Sequence, residues 1–306
     1  MRSRHDPGRQ AQPAYFTLPL LDPHREPAPT REHGLWGRLE LEAECLTEIH
    51  VGGTAPAVTH LDGRPTLVHG MTRVPAHNGQ APVIPGSSLK GAVRAIVEAI
   101  TPSCDRLPSD PRSGERNAAC KGPWSLCPAC TAFGAPGWRA MVAFSDLLTV
   151  EPVELTTKRV AQRYSHGNAP NAPRTGRRLY GLRPEEPLPS DVETLECLPV
   201  GSRLRAVVRF EGLTETLAGA ITIVFGLPPH GLPLLRLGAG KNRGLAQMRV
   251  TLRSGAIAHG WTPFLNCEVA SIDVAALQEL QESAFRRWPS VCRAHADKIR
   301  ACYQNE

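Results

Sequence analysis

The sequence reads LELEAEC from Leu39 to Cys45, so apolar and acidic side chains alternate along it. A period of two is typical of a β-strand with one buried face. Further along, the sequence reads GSSLKGAVRAIVEAI from Gly86 to Ile100, and its apolar residues recur three and four positions apart. This spacing predicts a helix with one buried stripe, for which Ser87 or Ser88 is a competent N-cap. We therefore expect a strand followed by a helix at the start of the core.

The remaining periodic segments extend this unit into a mixed fold. Alternation or apolar runs predict further strands, and spacings of three and four predict further helices. The strands are expected at residues 140–148, 203–210, 234–237 and 248–252, and the helices at 217–224 and 273–285, the last stopped by Pro289. The order strand, helix, strands, helix, strand is typical of a split βαβ arrangement. We therefore expect an α+β fold with a ferredoxin-like core and long insertions.

The chain divides into three parts where its composition changes. Residues 1–34 are rich in Pro, Arg and His without periodicity, which predicts an arm that has no secondary structure. Residues 35–260 form the expected core, with a cysteine-containing insertion at 101–139 and a basic insertion at 154–200. Residues 261–306 form a C-terminal helical segment. With 27 Gly and 29 Pro among 306 residues, we expect many turns and long loops.

The charge and the apolar pattern argue against a membrane protein and against a secreted one. The formal net charge is +6, which suits a polyanionic partner without demanding one. The first residues contain no apolar stretch typical of a secretion signal, and the longest apolar run, residues 217–227, is too short to span a bilayer. We therefore expect a cytoplasmic protein with no membrane partner, whose nine cysteines are not paired in disulfides.

Four cysteines lie close together in a segment rich in Pro and Gly. Cys104, Cys120, Cys127 and Cys130 follow the pattern C-x15-C-x6-C-x2-C. A two-residue spacer lets the thiolates of Cys127 and Cys130 meet one zinc ion, and two more thiolates complete a closed tetrahedral shell. The alternative of buried free cysteines fits poorly, because the surrounding residues are charged. We therefore predict a structural zinc ion held by these four residues.

A second motif, LGAGKNRG from Leu237 to Gly244, places three glycines and two cations in one turn. Glycine allows backbone amides to approach a phosphate closely, and Lys241 and Arg243 can neutralise it. The motif is not a Walker loop, because Asn242 stands where Ser or Thr is required. It is not a dinucleotide fingerprint either, because a strand follows it. A plain hairpin turn is the alternative interpretation.

The segment from Thr157 to Arg183 contains seven Lys and Arg residues and no Asp or Glu. The positive charge of the chain is therefore concentrated here. Tyr164, His166 and Tyr180 are interleaved with the cations and offer faces on which unpaired bases stack, while the cations hold phosphates. A solvated flexible loop is the alternative. We favour single-stranded RNA as the partner, by analogy with other ferredoxin-like sheets.

Four motifs in this order resemble the signature of the RAMP superfamily of CRISPR-associated proteins. They are IHVGG at 49–53, VIPGSSLKGAVR at 83–94, CPACTAFG at 127–134 leading to VAFSD at 142–146, and GAGKNRGL at 238–245. Together they span most of the chain, from Leu39 to Leu252. Two further segments, YFTLP at 15–19 and RRLY at 177–180, are similar to single-subunit members of type III effector complexes.

The resemblance implies that the ferredoxin-like core is RNA-recognition-like, and that the chain is a guide-RNA-binding subunit of a type III CRISPR ribonucleoprotein effector complex in antiviral defence. Its expected partners are the guide RNA, the complementary target RNA and other effector subunits. The helix N-terminus at Ser87 and Ser88 would offer backbone amides to a guide phosphate, and the glycine-rich turn would lie against the same backbone. The predicted RNA-binding residues are Ser87, Ser88, Lys90, Arg94, Lys158, Arg159, Arg163, Arg174, Arg177, Arg178, Tyr180, Gly238, Gly240, Lys241, Arg243 and Gly244.

Catalysis is the point on which the sequence departs from the family pattern. Cleaving members carry an Asp in the loop between the H-x-G-G strand end and the I-P-G-S-S motif. The acid of this loop is Asp62, close to the strand end, whereas His69 stands nearer to the expected position. Asp62 and His69 are the candidate catalytic residues, and we expect magnesium only if the chain cleaves RNA.

Two other functions compete with RNA binding in an effector complex. The first is an endoribonuclease, metal-independent or metal-dependent, that acts on the guide precursor or on target RNA. The second is a protein-interaction module stabilised by zinc, with no RNA role. We lean towards a subunit that is not an enzyme, because the helix-capping I-P-G-S-S-L-K-G block favours it.

Overall fold

The structure, a computed structural model, describes residues 15–53, 56–61, 63–76, 79–104, 119–161, 176–182, 192–262 and 270–304. The strands are β1 (Tyr15–Pro19), β2 (Leu35–Cys45), β3 (Ala57–Leu61), β4 (Arg64–His69), β5 (Arg73–Ala76), β6 (Gly79–Ile84), β7 (Val142–Phe144), β8 (Leu147–Thr149), β9 (Thr156–Ala161), β10 (Gly176–Tyr180), β11 (Val192–Cys197), β12 (Arg203–Leu213), β13 (Leu235–Arg236), β14 (Gln247–His259) and β15 (Ala270–Ser271). The helices are α1 (Gly86–Ile100), α2 (Pro128–Phe133), α3 (Glu215–Val224), α4 (Val274–Arg287) and α5 (Cys292–Gln304). The molecule is therefore a mixed α+β protein that is rich in strands.

The largest sheet is built around β2. Among the described residues it follows the order β13-β14-β2-β12-β8-β6-β5, with β15 beside β14 and β7 beside β12. Strand β2 is antiparallel to β12 on one side and to β14 on the other. The alternation predicted for residues 39–45 is confirmed, since Leu39, Leu41 and Ala43 are buried while the glutamates between them are only half-buried.

The helices also contribute buried apolar residues to the core. Helix α1 buries Leu89, Val93 and Val97 and packs against α3, as its apolar spacing predicted. Helix α3 also packs against α4, whose N-cap is Asp273; the Asp273 carboxylate accepts a hydrogen bond from the Ala276 N–H. In the described part of the chain, no helix is long and apolar enough to cross a membrane.

Two smaller sheets lie beside the largest one. Strands β1 and β10 are antiparallel, with Tyr15 opposite Tyr180. Strands β3, β4, β11 and β9 form a second small sheet in that order. The first pairing corrects the prediction that residues 1–34 have no secondary structure. Sequence periodicity could not reveal it, because β1 takes its partner from a segment far along the chain.

The predicted strand at residues 140–148 is also corrected, since it consists of β7 and β8 with a break at Ser145 and Asp146. The Asp146 carboxylate accepts a hydrogen bond from the N–H of Gly86, at 2.7 Å. The break therefore serves the first turn of α1, which is a contact between segments that alternation does not predict.

Candidate functional site

The four predicted metal ligands meet in the structure. The sulfurs of Cys104, Cys120, Cys127 and Cys130 all lie within 4.8 Å of one another, and all four residues are buried. Cys127 is the N-cap of α2 and Cys130 lies in its first turns, so the two-residue spacer brings their sulfurs together. Contact with the Cys104 thiol lowers the pKa of Cys127. A buried set of four thiols has the donor chemistry of a closed metal site.

Arg94 belongs to this cluster. The sequence predicted an RNA contact for it, but its side chain is buried with only 7% exposure. Its guanidinium donates to the Cys130 sulfur at 3.3 Å, to the Gly134 carbonyl at 3.0 Å and to the Glu98 carboxylate at 2.8 Å. The guanidinium therefore faces the cysteines, where it offsets part of the negative charge that thiolates bring.

Arg177 has a similar place on the other side of Glu98. It donates to the Glu98 carboxylate at 3.0 Å, and to the carbonyl oxygens of Cys104 at 2.7 Å and Ser103 at 3.3 Å. An RNA contact was predicted for Arg177 too, whereas these protein groups occupy its donors. Since Glu98 pairs with an arginine from α1 and with one from β10, it joins the cysteine cluster to both elements.

Other predicted RNA-binding residues from three separate segments converge on one cavity of about 460 Å³. We call this cavity the basic groove. The predicted RNA-binding residues that line it are Ser88, Arg178, Tyr180, Gly238 and Lys241. Arg178 and Tyr180 are exposed there, and the Arg178 guanidinium stacks over the ring of Tyr15 at 4.9 Å. The groove therefore combines cations, an exposed aromatic ring and a glycine-rich backbone.

The N-terminus of α1 contributes to the groove differently from the prediction. Pro85, and neither serine, is the N-cap, and it makes no side-chain cap hydrogen bond. The Gly86 N–H already binds the Asp146 carboxylate. Ser87 is exposed, and Ser88 reaches the groove from the first turn of α1. Lys90, also predicted to bind RNA, is half-buried in the same helix.

The glycine-rich turn forms one wall of the groove, and its shape requires glycine. Gly238 has φ of 112°, and a Cβ there would lie 2.6 Å from the His50 carbonyl oxygen. Gly240 and Gly244 have φ of 72° and 81°, in the left-handed region. The N–H of Ala239 donates to the same His50 carbonyl at 2.8 Å, and Lys241 donates to the Gly238 carbonyl. The backbone is thereby held close to the groove.

A second cavity, of about 570 Å³, lies at the end of this turn. It is lined by Lys158, Arg243 and Gly244 from the predicted set, and by Arg249. Lys158 also pairs with Glu48 at 3.2 Å. Arg159 is exposed on β9. The predicted contacts Arg163 and Arg174 lie outside the described residues.

The candidate catalytic residues are not brought together in the described part of the chain, since Asp62 lies outside it. The Nε2 atom of His69 is 4.0 Å from a Glu193 carboxylate oxygen. His50 is 3% exposed, its Nδ1 contacts the Glu196 carbonyl at 2.7 Å, and burial lowers its pKa. A buried, uncharged imidazole bound to backbone is a structural group here.

Two residues of the groove were missed by sequence reasoning. Arg236 and Tyr303 both line it and are 5% and 4% exposed. The signal for Arg236 was a charged residue within the apolar run LLRL at 234–237. Tyr303 gave no signal, because it belongs to the C-terminal helix α5, far from the other groove residues in sequence.

The family follows from comparison with known proteins. The model of the RAMP superfamily matches residues 42–248. The chain belongs to the RAMP superfamily. The matched region of this RAMP protein runs from β2 into β14 and includes Ser88, Arg178 and Lys241 of the groove. It does not include β1 or the C-terminal helices, so Tyr303 is an addition from outside the matched region.

The comparisons with solved structures and with curated proteins add little to the family assignment. A solved structure titled "Type IV-B CRISPR Complex" is similar to this RAMP protein, with 18% sequence identity and a TM-score of 0.36. The similarity covers 70% of this chain and 90% of that chain. No curated protein matches the sequence.

Proposed function

We propose that this RAMP protein is the guide-RNA-binding subunit of a CRISPR effector complex that acts in antiviral defence in the cytoplasm. The observation that carries the proposal is the convergence of Ser88, Arg178 and Lys241 on one groove. These residues come from α1, β10 and the turn between β13 and β14. The sequence predicts an RNA contact for each of the three.

The chemistry of the groove fits a single RNA strand. Arg178 and Lys241 carry the charge that neutralises phosphates, and Tyr180, 39% exposed, offers a ring on which a base stacks. Glycines at the turn let a sugar-phosphate backbone approach the main chain. The second cavity adds Lys158 from β9 and Arg243 from the end of the turn, so one strand can follow cations from one cavity to the other.

The strand order supports a ferredoxin-like core. Taken in chain order, β2, β8, β12 and β14 are the four strands of such a unit, with α1 after the first and α3 after the third. The first and third strands are adjacent in the middle, and the second and fourth flank them. This is the arrangement of a split βαβ unit, and we assign residues 35–260 to it, with the insertions at 101–139 and 154–200.

We further propose that the complex is of type III, with complementary target RNA and other effector subunits as partners. The basis is the resemblance of residues 15–19 and 177–180 to type III members. These segments lie in β1 and β10, which are neighbours in one small sheet. The neighbouring reading frames test this assignment, since a large polymerase-like protein and a repeat-processing protein beside this one are expected.

We propose that the cysteine cluster holds a structural zinc ion. Four thiolates fill a tetrahedral shell and leave no open position for a reacting water, so the ion would stabilise the fold without catalysing a reaction. The buried donor from Arg94 suits this site, since it lies against a sulfur that carries charge when a metal is bound.

The RNA-binding proposal is tested by measuring the affinity of the purified chain for a labelled single-stranded RNA at several salt concentrations. We expect the affinity to fall steeply as the salt concentration rises, because the cationic side chains of the protein release counterions from the RNA when they bind its phosphates. Lys241→Ala is expected to weaken binding and to reduce the salt slope by about 0.7, the value for one lost phosphate contact on a single strand.

Arg286→Ala is the matched control, since Arg286 is exposed on α4 and lines neither cavity. RNA binding that does not depend on the salt concentration contradicts the proposal, and so does an equal effect of Lys241→Ala and Arg286→Ala on RNA affinity. A salt-independent interaction would instead favour the protein-interaction module.

A further inference from the structure

Arg236 is a buried cation beneath the basic groove. It lies on the short strand β13 and is 5% exposed. One guanidinium nitrogen, Nη1, donates to the Gly181 carbonyl at 2.7 Å. The other, Nη2, donates to the carbonyls of Lys241 at 2.5 Å and Leu245 at 2.9 Å. One side chain thus holds the middle of the glycine-rich turn, the residue just after the turn and the residue that follows β10.

The partners of Arg236 are unusual for a buried arginine. Among the described residues its hydrogen bonds all go to main-chain carbonyls, its Nε has no partner, and it forms no ion pair with a carboxylate. Burial lowers its pKa, but an arginine starts so high that it stays charged. A buried charge without a counter-charge is destabilising, and an apolar residue would suit this strand better. The guanidinium therefore calls for a role other than core packing.

Tyr303 lines the basic groove together with Arg236. Its ring lines both the groove and the second cavity, so it stands between them. Burial raises its pKa to about 12, which keeps the phenol neutral beside Arg236. The ring also makes an edge contact with Phe16 of β1, with ring centroids 6.3 Å apart. The C-terminal helix is thereby tied to the small sheet that carries Arg178 and Tyr180.

We propose that Arg236 is a positioning residue for RNA binding, an inference that rests on the proposed function. It does not reach the RNA; it fixes the turn and the end of β10 in the one arrangement in which Lys241 and Arg178 face the same groove. The planar guanidinium carries its donors on separate nitrogens, so it can donate to three carbonyls at once. A lysine ammonium carries all its donors on one nitrogen and cannot take its place.

The first test needs no RNA. Hydrogen exchange is compared between the wild type and Arg236→Met, a substitution that keeps an unbranched side chain in the core. We expect faster exchange of the amides of the turn, residues 239–246, and of residues 181–182, with exchange in α4 unchanged. Equal exchange in the turn, or faster exchange throughout the chain, overturns the inference, because Arg236 would then be either idle or a general core residue.

The second test measures RNA affinity and its salt slope for the same variant. We expect binding at least about tenfold weaker with an unchanged slope, because no phosphate contact is lost. Arg236→Lys should behave like Arg236→Met. A folded Arg236→Met that binds like the wild type overturns the proposal, and so does a slope that falls as it does for Lys241→Ala, since Arg236 would then contact phosphate itself.

A chemical rescue guards against a variant that fails to fold. Arg236→Ala leaves a cavity shaped for a guanidinium, so methylguanidinium should restore RNA affinity and methylammonium at equal ionic strength should not. Equal rescue by both, or no folding in any variant with or without methylguanidinium, counts against the positioning role. If the wild type does not bind RNA, the proposed function fails, while the exchange experiment still decides the part played by Arg236.

Discussion

The guanidinium of Arg94 donates to the sulfur of Cys130 across 3.3 Å. The same guanidinium is bonded to Glu98, which also receives Arg177 from β10. A line of charged contacts therefore runs from the cysteine cluster through α1 to the strand that carries Arg178 into the groove. Two arginines that resemble RNA contacts in the sequence serve to join the candidate metal centre to the candidate RNA groove.

Metal content is the most direct prediction. We expect one zinc ion per purified chain, measured by elemental analysis, because the four sulfurs form a closed set. Cys127→Ser or Cys130→Ser should remove the ion and unfold the segment around α2, since binding and local folding are linked. Cys302→Ser is the control, as Cys302 is only half-buried and lies outside the cluster. Purified protein without metal would rule out the site.

Arg94 gives a second prediction at the same centre. Arg94→Gln removes the positive charge beside the Cys130 sulfur, so zinc affinity should fall roughly 10–100-fold, as for other groups that support metal ligands. Competition with a chromogenic chelator measures the change. Arg286→Gln provides the comparison, and an Arg94→Gln protein that keeps the wild-type affinity would show that the contact with sulfur is unimportant to the ion.

Arg177 and Arg178 are neighbours with different expected effects. Arg177→Ala removes one of the two arginine donors of Glu98 and the Arg177 hydrogen bonds to two backbone carbonyls, so we expect a loss of about 1–3 kcal/mol in the free energy of unfolding. Arg178→Ala removes an exposed side chain and should change stability by less than about 0.5 kcal/mol. Urea unfolding and RNA affinity are measured for both. Weaker RNA binding without destabilisation is expected only for Arg178→Ala; the same result for Arg177→Ala would be contrary to the structure.

Tyr180 is predicted to stack on a base. Tyr180→Ala should weaken RNA binding by roughly 1–3 kcal/mol, whereas Tyr180→Phe keeps the ring and should bind as the wild type does. Trp124, 83% exposed and outside the groove, is the matched aromatic control. If Trp124→Ala weakens binding as much as Tyr180→Ala, the contribution of Tyr180 is not specific to the groove.

Cleavage is tested separately. We expect the purified chain to leave guide precursor and guide–target duplex intact, with or without magnesium, because the described part of the chain places Nε2 of His69 4.0 Å from a Glu193 carboxylate oxygen. Products are followed on denaturing gels. If the chain alone cleaves the precursor and His69→Ala abolishes this cleavage, the function is that of an endoribonuclease and not that of a binding subunit.

Much of the fold could be predicted because it depends on short-range patterns. The strand at 39–45, the helix ending at Ile100 and the hairpin around the glycine-rich turn each follow from periods of two or of three and four. The pairing of β1 with β10 could not be predicted in this way, because it joins segments far apart in the chain. The break between β7 and β8 also depends on a distant partner, the first turn of α1.

The sequence by itself determined which residues can do chemistry: the spacing of the four cysteines, the glycines of the turn and the concentration of cations near β10. Only the tertiary structure decided where those side chains point. Arg94 and Arg177 turn to Glu98 and the cysteines, whereas Arg178 and Lys241 face the groove, and Arg236 lies beneath it. The reason is physical: composition and spacing fix charge and local geometry, but a cation's role depends on which acceptors the fold places within hydrogen-bonding distance.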